Sequence, residues 1–154
     1  ALLRRSPALL NVDDGGTASN LASAIGTFMR YADEADAKVA VLWMVGEYGE
    51  LLPEAPYLLE PMVDAFAEEP ASAVRLELLS SAVKLFVKRP AEMQHMLGRL
   101  LEAATTDVTF TDVHDRAMFY YRLLQYDVTS AKRVLTTKPA APERFVEDTA
   151  SEWQ

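Results

Sequence analysis

The sequence predicts an all-α fold, a HEAT- or armadillo-like α-solenoid built from antiparallel helix pairs. Three observations carry that reading. Ala and Leu supply 43 of the 154 residues, a composition rich in strong helix formers. No segment shows the apolar–polar alternation of a half-buried strand. Helix-start signals recur at a nearly constant step. First helices of successive pairs are expected near residues 18, 55, 90 and 128, and second helices near 36, 71 and 112. This period lies between the tetratricopeptide and the HEAT/armadillo repeats, and the tetratricopeptide pattern of Trp, Gly, Tyr and Pro is missing. One pair cannot bury both of its faces, so neighbours stack and share a core. A closed helical bundle is the rival architecture.

The elements follow in order. Residues 2–12, with Leu2, Leu3, Leu9 and Leu10 around Pro7, read as a helix tail at a fragment edge. Asp13-Asp14-Gly15-Gly16 is a loop by its turn chemistry. Thr17 or Ser19 caps a helix carrying Leu21, Ile25, Phe28 and Met29 that stops near Asp33. Asp36 is the expected N-cap of the next helix, which runs to Glu50 and is apolar nearly all round, so burial on several sides is expected. Pro53, Pro56 and Pro61 mark a helix from about Ala55 to Glu68, kinked at Pro61. Glu69-Pro70 breaks it. Residues 71–88 form a strong helix with Val74, Leu78, Ala82 and Leu85 on one stripe, and Lys84, Lys88 and Arg89 near its end favour the helix dipole. Pro90 opens a helix to about Ala104, Thr105–Thr111 is a loop, and Thr111 or Asp112 caps a helix to Gln125. A last helix spans about Thr129 to Leu135, followed by the extended Lys138-Pro139-Ala140-Ala141-Pro142 and an acidic end.

Composition excludes several kinds of chemistry. The chain has no cysteine, which removes disulfides, thiolate metal ligation and a cysteine nucleophile. Two histidines leave little room for a histidine metal site, and no metal or cofactor is expected. A net charge of −8 and a pI near 4.7 argue against a nucleic-acid or anionic-membrane surface. The longest strongly apolar run, Val39–Gly46, is far shorter than the roughly 20 residues of a membrane-spanning helix. The absence of an initiator Met suggests an excised or processed chain, and a cytosolic setting fits best.

Candidate chemistry is sparse. His114 lies between Asp112 and Asp115, which offers a base oriented by a carboxylate, but no nucleophile motif accompanies it. The simpler reading is a helix start with two favourably placed acids. His95 is expected on a solvated face. Glu47 and Glu50 read as a polar edge, and Gly46 to Glu50 is no phosphate loop, since its acids would repel an anion. Lys132 and Arg133, like Lys84, Lys88 and Arg89, need no acidic partner beyond their own helices. Glu47–Leu52 and Glu54–Leu59 match an acidic dileucine signal, and Tyr48–Leu51 and Tyr121–Leu124 match a tyrosine-based one. All four fall on expected helices with inward leucines and are discounted. Asp115-Arg116 is a candidate for pairing across repeats and holding the stack. Trp43 is a candidate packing residue of the same scaffold.

Three separated stretches carry a resemblance. They are Trp43-Met44-Val45-Gly46-Glu47-Tyr48-Gly49-Glu50, then Leu78-Leu79 through Val83-Lys84-Leu85-Phe86-Val87-Lys88-Arg89-Pro90, and Asp115-Arg116-Ala117-Met118-Phe119-Tyr120-Tyr121-Arg122-Leu123-Leu124. In order and spacing they resemble the beta-adaptins, the large beta subunits of the heterotetrameric adaptor complexes of vesicle coats. The likeness covers about residues 36–137. Pro53–Glu60 and Arg89–Leu101 resemble most the beta subunit of adaptor complex four. The resemblance implies the carboxy-terminal part of a HEAT-like trunk. Residues 17–138 would be trunk, 1–16 a fragment edge and loop, and 139–154 an extended acidic tail leading toward the hinge. It further implies a non-enzymatic scaffold in cargo sorting at the cytosolic face of the trans-Golgi network, endosomes and coated vesicles. Its partners would be the second large subunit, the medium subunit and the small subunit. Membrane association would come only through the whole complex. A beta subunit of a clathrin-associated type-one or type-two complex, or an independent HEAT-repeat binding module, stands as the alternative.

Overall fold

The structure, a computed structural model, describes residues 34–136 and, before them, residues 20, 23–25, 27 and 28. The expectations for the fragment edge, the Asp13–Gly16 loop, the Thr17 or Ser19 cap and the acidic end lie outside the described residues. Residues 23–25 are helical, and Ile25 is buried in the core.

Six helices follow: α1 Ala35–Tyr48, α2 Ala55–Asp64, α3 Ser72–Lys88, α4 Pro90–Thr106, α5 Thr111–Tyr126 and α6 Val128–Thr136. A 3-10 turn, Phe66–Glu68, follows α2. Several boundaries differ from expectation for local reasons. Glu34, in extended backbone, is the N-cap of α1, so Asp36 falls in its first turn. Pro61 removes one rung of α2, and the helix ends three residues later, where the Ala65 N–H bonds the Pro61 carbonyl. Helix α4 runs through Thr105 and Thr106, whose hydroxyls donate back to the carbonyls of Leu101 and Glu102, at 2.7 and 2.8 Å.

The helices form two rows. One row is α1, α3, α5, each packed on the next; the other contains α2 and α4. Consecutive helices cross between the rows, which is the stacking of an α-solenoid. Helix α3 is central and touches all five others. Its Val74, Leu79, Ala82, Val83 and Leu85 are wholly buried. They meet Leu42 and Val45 of α1, Leu59 of α2, Phe66, and Met93 and Leu100 of α4 in one continuous core. Full burial of each Val, Leu, Phe or Met side chain among them stabilises the fold by about 1.5–3 kcal/mol relative to exposure. Helix α6 packs on α3 and α5, so the regular alternation of rows stops after the one-residue turn at Asp127.

Helix α1 is covered round most of its circumference. Val41, Leu42, Val45 and Gly46 are buried and Ala35, Val39 and Met44 pack half-buried against the core, whereas Trp43 is 46% exposed, its ring set edge-on to Tyr48 with 6.1 Å between ring centres. The apolar composition of α1 therefore partly dresses an outer face.

Candidate functional site

The polar side chains that this sequence takes inside are spent on bracing one repeat against the next. Arg75, on the buried side of α3, is 4% exposed. Its Nε donates to the Glu69 carbonyl at 2.8 Å and its Nη2 to the Ala67 carbonyl at 2.9 Å. Its Nη1 reaches Asp107 Oδ2 at 2.6 Å. The guanidinium also lies 5.0 Å from the centres of both the Phe66 and the Phe110 rings. A planar, always-charged fork can fill all these roles together. One side chain thus joins the turn after α2 to the turn before α5. Asp107 is prepared for it: hydrogen bonds from Thr109, and then Arg75, hold its carboxyl down at about 2.

The α1–α3 contact is close because its residues are small. A Cβ added at Gly46 would stand 2.9 Å from Ser81 Cα. Ser81 is fully buried and donates its hydroxyl proton to the Leu42 carbonyl at 2.6 Å. Beside it, Glu77 is half-buried, and desolvation raises its carboxyl above the ordinary range although Lys84 and Ser81 oppose the shift.

The basic end of α3 serves its neighbour. Lys88 Nζ donates to the carbonyls of Gly46 and Glu47, and Lys84 pairs with Glu47 at 3.3 Å. Arg89 donates to the carbonyls of Gly49, Leu52 and Pro53 and pairs with Glu92. These cations satisfy the free carbonyls at the C-terminus of α1 and the loop after it. On the other row, Arg99 of α4 bridges to Asp64 and Glu60 of α2. Lys38 pairs with Glu69 at 2.9 Å.

The residues singled out in the sequence fall elsewhere. Asp115 and Arg116 lie exposed on α5, and neither forms an ion pair with a described residue. Among the described residues the most buried ion pair joining repeats is Arg75 with Asp107. Its signal was a lone arginine between Val74 and Leu78, a charge on a core stripe that must find a partner. His114 makes no hydrogen bond to Asp112 or Asp115; Asp112 Oδ1 accepts from the Val113 N–H at 2.9 Å. The Nδ1 of His114 is buried without a partner among the described residues. His95 is exposed beside Gly98 and Arg99. In the dileucine matches Leu52 and Leu59 are buried, while Leu51 is exposed in a turn rather than inward on a helix. Among the described residues no acidic or histidine cluster could hold a metal ion, and no helix is long and apolar enough to cross a membrane.

What the surface offers is apolar. Trp43, Tyr57, Phe119, Tyr121 and Tyr126 are all at least 45% exposed. Phe119 and Tyr126 flank a shallow depression of about 680 Å³ on the outer side of α5, with His114, Met118, Arg122 and Leu123.

The comparisons with known proteins fit this scaffold. The family described as the adaptin N terminal region matches residues 12–127. Beta-adaptin-like protein A of Arabidopsis thaliana is 44% identical over 127 residues, covering 82% of this chain and 15% of the relative. The AP-4 complex subunit beta-1 of Mus musculus is 40% identical over 71% of this chain and 15% of its own length. The AP-1 complex subunit beta-1 of Rattus norvegicus is 43% identical over 72% of this chain and 12% of its own length. The chain thus spans about an eighth to a seventh of the relatives it matches. With its helical stack and this degree of identity, the chain belongs to the adaptins, as a beta-adaptin stretch of their N-terminal region.

Proposed function

We propose that this chain is a non-enzymatic scaffold segment of the beta subunit of a vesicle-coat adaptor complex. It would act in cargo sorting at the cytosolic face of the trans-Golgi network and endosomes. The observation that carries the reading is the use of its buried polar groups. Arg75, Ser81, Lys88 and Arg89 are committed to holding one helix pair on the next. Large aromatic side chains meanwhile stand on the surface, as expected of a segment that buries helical faces against other subunits. The partners would be the second large subunit, the medium subunit and the small subunit. Asp115 and Arg116, exposed on α5, are available to such contacts, as is Trp43 on α1.

The type-four complex is the proposed setting, supported by Pro53–Glu60 and Arg89–Leu101. A type-one beta subunit is the second reading, favoured by the 43% identity to the rat protein. The test is co-expression of the full chain with the other three subunits of a type-four complex and, separately, of a type-one complex. Salt-stable co-purification with the type-four set is the expected result. Capture by the type-one set alone would overturn the subtype, and capture by neither, with the chain folded, would overturn the scaffold reading.

A further inference from the structure

Helix α5 has one flank uncovered. In its row α3 is flanked by α1 and by α5, whereas α5 has α3 on one flank and no described element on the other. Its buried stripe is Val113, Ala117 and Tyr120. The opposite surface carries Asp115, Met118, Phe119, Arg122 and Tyr126 along a shallow depression. Positions 115, 118, 119 and 122 follow the three- and four-residue steps of a single helix face. Phe119 is 51% and Tyr126 87% exposed, and apolar surface gathered on one face of a folded chain marks a contact site.

The charges on this face identify the occupant. Asp115 and Arg122 are two helical turns apart, about 10 Å along the axis, with Met118 and Phe119 between them. Both are exposed, and neither forms an ion pair with a described residue. A matching helix must offer a cation opposite Asp115, an anion opposite Arg122 and an apolar middle. Helix α5 itself, run antiparallel, has this order. A twofold axis midway between positions 118 and 119 sets Asp115 against Arg122 of the second copy and, by symmetry, Arg122 against its Asp115. Met118 and Phe119 of the two copies then meet at the axis, where a thioether against an aromatic ring is a favourable contact. A parallel pairing would set like charge on like charge, which is strongly disfavoured.

We propose that the outer face of α5 is a self-recognition surface. A second copy of this chain docks its own α5 there, antiparallel, held by two reciprocal Asp115–Arg122 pairs around an apolar centre. One pair of helices buries less area than a permanent interface needs, so the association is weak and reversible. Helix α3 separates α5 from α1, so a copy docked here leaves the Trp43 surface open to sister subunits. The inference needs only the surface of α5 and does not depend on the adaptor reading.

The test is sedimentation equilibrium of the full chain, alone, from micromolar to millimolar concentration. A monomer–dimer equilibrium that weakens as salt rises is expected. Asp115→Arg and Arg122→Asp each bring like charges together on both sides of the axis. Both positions are exposed, so the fold, checked by circular dichroism, is kept. Each single reversal should weaken the dimer about tenfold or more, and the chain carrying both, in which the two charges are exchanged, should recover it. A chain that stays monomeric throughout would overturn the proposal. So would a dimer that neither reversal weakens, which places the contact elsewhere, or a double reversal no better than the single ones, which removes the reciprocal pairing.

Discussion

Arg75 and Asp107 lie 32 positions apart in sequence and meet at 2.6 Å, with the guanidinium held between Phe66 and Phe110. The contact joins two inter-helix turns that no single helix pair contains. Replacing Arg75 by Ala strands the carbonyls of Ala67 and Glu69 and empties the space between two rings. A loss on the order of 3 kcal/mol is expected, with Arg75→Lys recovering only part, because an ammonium cannot span the fork. Urea unfolding monitored by circular dichroism checks this through the midpoint at constant slope.

The same pair sets an acid limit. The folded-state value of Asp107 is depressed from 3.8 to about 2, by Thr109 first and Arg75 after. A depressed carboxyl binds fewer protons folded than unfolded, so its contribution is fully present above 3.8 and is lost as the pH falls through about 2. Asp127, lowered by hydrogen bonds from Ser130 and Thr129 at the start of α6, adds in the same direction. Melting temperature followed from neutral to pH 2 should fall along this limb, and Asp107→Asn should flatten it. An unchanged limb in that variant would remove Asp107 from the account.

Two glycines make a matched pair of opposite sign. Gly46→Ala puts a methyl 2.9 Å from Ser81 Cα and should cost about 1–3 kcal/mol by forcing α1 off α3. Gly98, also helical, faces open space, and Gly98→Ala should stabilise by up to about 1 kcal/mol. Thermal unfolding of the two variants decides both.

Arg89 holds the loop after α1 through three carbonyls. Arg89→Ala should destabilise the chain by about 1–2 kcal/mol. Hydrogen exchange should quicken at residues 51–55, where the Leu51 and Ala55 amides close the turn, and stay unchanged in α5. Uniform quickening across both regions would show that Arg89 braces the whole stack rather than one loop.

Much of the fold was legible because it is written in local signals. Prolines 56 and 90 sit in first helical turns, and the apolar stripe of α3 has helical period. The braces were hidden because they join residues more than 30 positions apart. Asp115 and Arg116 stand near a turn and read as partners for pairing across repeats, yet both face solvent on α5. Arg75 carried a usable signal, a charge on a core stripe, but nothing local named Asp107 as its partner. Lys88 and Arg89 read as dipole partners of their own helix; the structure gives them to the end of α1, a contact set by stacking. Trp43 followed the same logic, since an apolar helix does not say which of its sides a neighbour covers.

The central claim is a scaffold that works by burying surface. Hydrogen exchange of the full chain, alone and in complex with co-expressed type-four sister subunits, tests it most directly. The account predicts new protection on a solvent-facing surface of α1 or α2, where Trp43 and Tyr57 stand, and no change around Arg75, which is already fully engaged. No new protection anywhere, or a change confined to the Arg75 brace, would contradict it.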